Sequence, residues 1–268
     1  MIFTALMPFA EALEALAVKT LLPTELRTAM LSTIPAELRA RSMMSAGQTS
    51  AEFLQRALDG VTSLAEGKSD RATQRMELKR LLGSLGAEVD ETDLTDIRSD
   101  ARLNLILDTN LQQAQGYGHK MQGRQNDILA VYPAQELVRV QDAAEPRDWA
   151  ARWAAAGGTF YGGRMIALKS DPIWKAINRF GVDYPPFDFN SGMELQDVDR
   201  KTAVAAGLMK DDDVIDVESW PSDSFNADVQ AKPEVRDSWL RTALADNLQG
   251  VAEFDAAGVL RLVAGGAA

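Results

Sequence analysis

Residues that could carry out chemistry are few in this sequence. Its 268 residues include no cysteine and a single histidine, His119. The lack of cysteine excludes disulfides, thiolate zinc sites and cysteine nucleophiles, and one imidazole excludes any site that needs two. His119 has no serine or cysteine nucleophile motif to accompany it, so we interpret it as a surface or hydrogen-bonded residue. A metal site would have to use oxygen ligands, as Mg²⁺ and Ca²⁺ do.

Two short runs contain residue types found in ion or phosphate sites. Asp211-Asp212-Asp213 offers adjacent carboxylates, but neighbouring side chains of an extended chain point to opposite faces, which favours a solvated run over a metal site. Gly67-Lys68-Ser69 resembles the end of a phosphate-binding loop. The upstream glycine and the preceding strand are missing, so we interpret it as a polar turn. We therefore predict no catalytic residue, no cofactor, no metal and no enzymatic activity.

A basic stripe is the remaining feature with binding chemistry. Arg71, Arg75 and Lys79 follow one another at four-residue spacing, which places them on one face of a helix. The net charge of −11 argues against broad nucleic-acid binding, because that depends on clustered cations. The stripe is a candidate for a weak DNA contact. The alternative, which we favour, is a solvated helix face that balances nearby acids.

The elements that would position these residues are predicted to be mainly helical. With 46% hydrophobic residues and 25% charged residues, the chain has the composition of a globular protein, and its length predicts one or two domains. We predict an α+β, mainly helical fold in three regions. Residues 1–98 form a helical N-terminal docking region, 99–215 a small mixed α/β domain with few strands, and 216–268 a C-terminal extension with a helix and a hairpin.

Helix signals fill the first region. Segments 22–27 and 34–39 each place proline and then glutamate where a helix begins, which predicts two short helices. Thr49 and Glu52 have the spacing of a capping box ahead of an apolar helical face. Segment 88–96 is acidic, which is typical of a solvated linker, so we expect the domain boundary and the first proteolytic cut there.

The apolar start of the chain lacks a basic segment, and Glu11 and Glu14 interrupt it. We therefore predict neither a signal peptide nor a membrane span.

From Ser99 onward the patterns of helices and strands alternate. Ser99 can cap a helix whose apolar face includes Leu103, Ile106 and Leu111, and the glycines within 116–120 relax or end that helix. Further elements follow from periodicity and turn residues: strands at 136–141 and 164–169, a helix opened by Pro146 that carries Trp149 and Trp153, and helices at about 196–206 and 234–248, followed by a hairpin at 252–263. Whether the two strands pair in parallel or antiparallel stays open.

Segment 171–193, DPIWKAINRFGVDYPPFDFNSGM, concentrates aromatic residues without helical or strand periodicity in its second half. Its prolines force extended backbone before them, and its Asn-Ser-Gly end has turn chemistry. Aromatic side chains bury large areas, so a packed structural loop is favoured over a ligand-binding loop. We expect three of its rings to be buried against the helix that carries Leu103, Ile106 and Leu111, namely those of Trp174, Tyr184 and Phe187.

Three groups of residues form an ordered set across 99–208. The first is a helix with an Asp-Thr-Asn run and a later Tyr-Gly, and the second is Tyr132-Pro133-Ala134 leading into a strand. The third is an Asp-Pro-x-Trp turn followed by a Tyr-Pro-Pro loop that ends at asparagine. The key positions are Asp108, Asn110, Tyr117, Asp171, Trp174, Tyr184, Pro185, Pro186 and Asn190. This set resembles the Mu F-like head morphogenesis proteins of tailed bacteriophages, minor capsid proteins encoded beside the portal gene.

The resemblance implies a non-enzymatic minor head protein that acts in head morphogenesis, DNA packaging or delivery. It implies the portal protein, the inner capsid or the scaffold as partners, location in the phage head or prohead, and neither a membrane nor a small-molecule substrate. Many relatives carry a Cys-Arg-Cys cluster after the asparagine, whereas Ser191-Gly192-Met193 stands here. Two alternatives stay open: a phage-derived toxin or effector that carries such a domain, and a neck or head-completion protein of another family.

Overall fold

The computed structural model describes residues 9–83, 90–142, 146–215 and 238–263. It is a mixed α/β structure, 44% helical and 14% strand, which confirms the mainly helical α+β class. The chain divides into two compact units. The first comprises Met1–Ala114 together with Ser222–Ala268, and the second comprises Gln115–Pro221.

The described part of the first unit is mainly helical. In chain order its described elements are α1 (Ala10–Ala17), β1 (Thr20–Leu21), a 3₁₀ turn (Met30–Thr33), α2 (Ala36–Ala40), β2 (Ser42–Met43), α3 (Ala51–Ala65), α4 (Arg71–Leu82), the first part of α5 (Asp100–Gly123), α10 (Ser238–Asn247), β7 (Ala252–Phe254) and β8 (Leu260–Leu262). Strands β1 and β2 pair in parallel, and β7 and β8 form the predicted antiparallel hairpin. The predicted start of α10 at residue 234 lies outside the described residues.

Side-chain caps begin the long helices of this unit. The Asp70 carboxylate accepts from the Thr73 amide at 3.0 Å, and the Ser99 hydroxyl accepts from the Arg102 amide at 3.0 Å. The prediction that Ser99 caps a helix is thus confirmed. The capping box was placed one residue too early, because Ser50 caps α3 by accepting from the Phe53 amide.

The C-terminal extension is part of the first unit, which corrects the predicted three-region division. Leu244 of α10 and Leu248, which follows the helix, share a buried cluster with Leu22 and Leu26. In the same cluster the Thr24 hydroxyl donates to the Leu260 carbonyl at 3.0 Å. The Leu260 backbone also donates to the Pro23 carbonyl at 2.9 Å and accepts from the Glu25 amide at 3.2 Å. These bonds to the hairpin explain why 22–27 is irregular and the first of the two predicted short helices is absent, while the second is found as α2.

The acidic segment does not divide the chain into two units. Its described part, 90–96, lies within the first unit and is folded onto its neighbours. The Glu91 carboxylate pairs with Lys79 at 2.8 Å and accepts from the Asp100 amide at 2.8 Å. Asp90 accepts from the Thr92 amide in a local turn. Acidic composition here serves hydrogen bonding to α4 and to the start of α5 rather than separation of domains.

The second unit is built on a four-stranded sheet. Its described elements are the rest of α5, α6 (Asn126–Val131), β3 (Ala134–Arg139), α7 (Trp149–Ala155), β4 (Phe160–Tyr161), β5 (Arg164–Leu168), α8 (Ile173–Ala176), β6 (Met193–Val198) and α9 (Arg200–Ala205). The strand order is β4-β5-β3-β6 and every pairing is antiparallel. This settles the direction that the sequence left open.

Two predictions in this unit are wrong. The glycines at 116 and 118 do not end α5, which continues to Gly123. The predicted helix at about 196–206 is shorter, because residues 193–198 form β6 along the whole length of β3. Helix α9 starts only at Arg200, where the Asp199 carboxylate accepts from the Thr202 amide at 2.7 Å.

None of the helices in the described parts of the chain has the length and apolarity needed to cross a membrane.

Candidate functional site

The aromatic loop supplies the core of the second unit. Trp174 and Phe187 are fully buried, with ring centroids 6.4 Å apart, and Trp153 of α7 lies 5.4 Å from Trp174. The Trp174 indole N–H donates to the Leu168 carbonyl at 2.8 Å. The predicted burial is confirmed for Trp174, Tyr184 and Phe187.

The predicted packing against α5 is confirmed for Tyr184, which meets Tyr117 of that helix, and is wrong for Trp174 and Phe187. Leu103 and Ile106 belong to the buried core of the first unit, and Leu111 packs against that core. The rings of Trp174 and Phe187 instead share a cluster with α7 and the strands. A hydrophobic helix face does not specify which aromatic segment covers it, so the sequence could not decide between these partners.

The proline loop packs on the second part of α5. The Tyr184 and Tyr117 rings meet edge to face at 6.0 Å, and the Pro185–Pro186 peptide bond is cis. The buried Asn178 amide donates to the Tyr184 carbonyl at 2.8 Å and to the Pro186 carbonyl at 3.2 Å. These bonds satisfy two loop carbonyls that would be costly to bury unpaired.

The other family-motif residues also have local roles. The Asp171 carboxylate accepts from the Ile173 amide at 2.8 Å at the start of α8, and Asn190 takes positive φ in the turn that precedes β6. Asp108 and Asn110 lie in the first unit. The Asn110 amide donates to the Ile106 carbonyl at 2.9 Å, within the helix. Each of these motif residues therefore holds a backbone or packing position within its own unit.

Three arginines converge on one buried carboxylate in the second unit, and this is the strongest candidate site. Asp188 has 5% side-chain exposure and pairs with Arg147 at 3.4 Å, Arg152 at 3.1 Å and Arg179 at 3.4 Å. The Phe189 carbonyl accepts a further bond from Arg147 at 3.0 Å. We call these four side chains the Asp188 cluster.

Aromatic faces line the Asp188 cluster. The Arg152 guanidinium lies 4.8 Å from the centroid of the Trp149 ring, and that of Arg179 lies 5.5 Å from the Phe189 ring. Such cation–π contacts keep a guanidinium in place while leaving its N–H edge able to donate. The arrangement can bind an anion. It contains no nucleophile paired with a general base.

Sequence analysis did not find this cluster. The arginines come from the segment before α7, from α7 itself and from the loop after α8, so their spacing has no helical or strand period. The one signal available was Asp188 between Phe187 and Phe189, a carboxylate inside an aromatic run that would need cations when buried.

A second charged contact lies beside the proline loop. Lys120 of α5 pairs with Asp183 at 2.6 Å. Burial lowers the pKa of Lys120, although the Asp183 carboxylate opposes that shift, and the nearby charges of Arg124 and Lys175 add to the lowering. His119, one residue before, is exposed on the helix.

The basic stripe of α4 is balanced by acids within the first unit. Arg71 pairs with Asp108 at 2.6 Å, and Lys79 pairs with Asp100 at 2.5 Å and also with Glu91. Arg75 likewise pairs with Asp100, at 3.3 Å. Cations held this way offer little surplus charge to phosphates. The structure thus gives no support to a DNA contact at the stripe.

The Asp211-Asp212-Asp213 run and the Gly67-Lys68-Ser69 run are local turn structures. Within the described ranges no group of three or more His, Cys, Asp or Glu residues could hold a metal ion. The backbone carbonyls of Asp211 and Asp213 accept from Arg200, and the Asp213 carboxylate accepts from the Lys210 amide. Gly67 takes positive φ in the turn after α3.

A small cavity of about 280 Å³ lies beside the aromatic core of the second unit. Its lining includes Trp153, Tyr161, Asp171 and Leu208. The Trp153 indole N–H already donates to the Thr159 carbonyl at 3.0 Å. The cavity is therefore lined mostly by apolar or already satisfied groups.

Comparison of the chain with protein-family models, with curated proteins and with solved structures finds no match in any of the three.

Proposed function

We propose that this chain is a non-enzymatic minor head protein of a tailed bacteriophage. It would associate with the portal protein, the inner capsid or the scaffold during head morphogenesis, DNA packaging or delivery, inside the phage head or prohead. The observation that carries the proposal is the ordered motif set across 99–208, which resembles the Mu F-like head morphogenesis proteins.

The positions of the motif residues support a structural role for the motif over a catalytic one. Trp174 and Tyr184 are buried and Asp171 accepts from the first amide of a short helix, so the shared pattern specifies how a domain packs. A motif set of this kind would be retained for its shape by a protein that acts through binding. We accordingly propose that the chain has no turnover of its own.

The helical first unit is the proposed docking element. Exposed apolar side chains lie on α4, where Met76 is 49% exposed and Leu81 is 37% exposed. Helical surfaces with such residues suit recognition by a partner helix or groove. The paired cations of the stripe lie on a different side of the same helix, and they would set orientation more than affinity.

Mass spectrometry of purified proheads and mature particles, combined with deletion of the gene, tests the proposal. We expect the chain in few copies per particle, and a loss of infectious titre on deletion that the intact gene restores in trans. A Met76→Lys, Leu81→Lys double variant should restore less titre while remaining folded. The matched control is Val214→Lys, because Val214 is 91% exposed in the second unit.

Absence from proheads and mature particles alike, with normal titre after deletion, would exclude the head-protein proposal. A gene order without a neighbouring portal gene but with a downstream immunity gene would favour the toxin alternative instead.

A further inference from the structure

The Asp188 cluster contains more positive charges than negative ones. Arg147, Arg152 and Arg179 set three positive charges against the single negative charge of Asp188. Among the residues that the structure describes, these arginines form no ion pair with a second carboxylate. One guanidinium is enough to neutralise a buried carboxylate, so these four side chains together carry two more positive charges than negative ones.

The surplus charge is accessible to a ligand. The side chains of Arg147, Arg152 and Arg179 are 40%, 30% and 50% exposed, whereas Asp188 lies beneath them at 5%. The carboxylate therefore fixes the guanidinium groups from the inside and leaves their outer N–H groups facing water. Planar guanidinium forks match the oxygen spacing of phosphate, which they bind in bidentate fashion.

A buried hydrogen-bond donor beside the Asp188 cluster has no acceptor among the described residues. Trp149 is 4% exposed, and within the described part of the chain its indole N–H has no hydrogen-bond partner. Leaving such a donor unsatisfied is unfavourable, and native structures rarely do so without a reason. Its ring is the one over which Arg152 lies. An oxyanion bound by Arg152 would bring a hydrogen-bond acceptor close to Trp149.

Partly exposed aromatic rings adjoin the arginines. Phe180 and Phe189 meet edge to face at 4.9 Å, and the Arg179 guanidinium lies against Phe189. Aromatic faces beside cations are the combination that binds single-stranded nucleic acid, because bases stack on the rings while phosphates meet the charges. This pairing distinguishes a nucleotide phosphate from a carboxylate ligand, which has no base to stack.

We propose that the Asp188 cluster is a binding site for the phosphate group of a nucleotide, either free or within a single strand. The inference does not depend on the proposed head-protein function. The net charge of −11 confines the contact to this site, since the rest of the chain repels a polyanion.

Fluorescence anisotropy with a labelled short oligothymidylate, alongside calorimetry with thymidine monophosphate, tests the site. We expect Arg147→Gln and Arg179→Gln each to weaken binding by about tenfold, the effect of losing one charged hydrogen bond. For the strand, the slope of log K against log salt should be about −0.7, the contribution of one phosphate contact. Both changes are at exposed side chains, so the fold should persist.

Two further variants distinguish phosphate binding by these arginines from a purely structural role. Arg164→Gln is the matched control, because Arg164 is 47% exposed in the same unit and pairs with Glu136 instead. It should leave binding unchanged. Asp188→Asn removes the competing negative charge and should tighten binding if near-ultraviolet circular dichroism shows a folded core. That gain in affinity would not follow from a purely structural role of the arginines.

The relative affinities identify the source of the phosphate. If thymidine monophosphate and the oligothymidylate bind with equal affinity, the ligand of the site is a free nucleotide. If the oligothymidylate binds more tightly, the ligand is a segment of single-stranded nucleic acid. Failure of the wild-type protein to bind either probe would overturn the proposal. So would binding that survives both arginine changes, or that Arg164→Gln weakens as much as they do.

Discussion

Gly116→Ala tests how closely the second part of α5 approaches the proline loop. A Cβ atom at position 116 would lie 2.2 Å from the Pro185 carbonyl oxygen and 3.2 Å from Cδ2 of Tyr184. Close C···O contacts in proteins are about 3.3 Å or longer. The loop would therefore have to move by about 1 Å. Because the obstructing atom belongs to the backbone, no side-chain rotation can relieve the overlap.

The expected magnitude follows from two opposing effects. Replacing glycine by alanine inside a helix ordinarily stabilises by about 1 kcal/mol. Overpacking a buried contact costs about 1–3 kcal/mol, and more when the neighbours are fixed. The loop is fixed here, since the Asn178 amide holds the Tyr184 and Pro186 carbonyls. We expect net destabilisation of about 1–2 kcal/mol, which lowers the melting temperature by roughly 5–10 °C.

Thermal unfolding followed by near-ultraviolet circular dichroism and tryptophan fluorescence measures the effect. Gly123→Ala is the matched control on the same helix, because the nearest atom to its added Cβ is the flexible Lys169 Nζ at 3.2 Å. That variant should melt within a few degrees of the wild type. If Gly116→Ala melts at or above the wild-type temperature, the close approach of α5 and the loop is refuted.

Three other perturbations have expected outcomes. Trp174→Ala should cost about 3–5 kcal/mol by chemical denaturation, because the side chain is fully buried, and Trp174→Phe should cost less; equal losses would contradict the packing argument. Ser99→Ala should cost about 1 kcal/mol in the same assay through loss of the α5 cap, and an unchanged midpoint would show that the cap is dispensable. Burial lowers the pKa of Lys19 from 10.5 to about 8. Between pH 8 and pH 10.5 the unfolded chain binds a proton at Lys19 that the folded chain has lost. The free energy of unfolding should therefore rise by about 3 kcal/mol over this range. Lys19→Met should abolish that rise, and a rise that persists in the variant would show that other groups cause it.

Local features of the sequence determined the helices and the hairpin well. Ser99 was identified as a cap from its position before an apolar periodic segment, and Trp149 with Trp153 was placed on a helix that ends at glycines. The hairpin at β7 and β8 followed from its turn residues. Each of these depends on interactions between residues a few positions apart, which the order of amino acids specifies directly.

Competition between local sequence signals and distant backbone partners explains the elements that the sequence did not predict. Segment 193–198 has little strand pattern of its own, and it becomes β6 because β3 offers a full row of unpaired backbone groups. Segment 22–27 has the signals of a helix start, yet the backbone of Pro23 and Glu25 bonds to Leu260 of the hairpin, more than 200 residues later. In both places a distant partner satisfied the backbone better than the local alternative.

The candidate site was decided by tertiary structure alone. The sequence determined that the chain lacks cysteine, has one histidine and is acidic, and so determined which kinds of chemistry it excludes. It did not determine that Arg147, Arg152 and Arg179 meet at Asp188, since they come from segments with no shared periodicity. Their convergence results from burying the aromatic loop against α7. A local excess of positive charge depends on which side chains lie close together, and folding alone decides that.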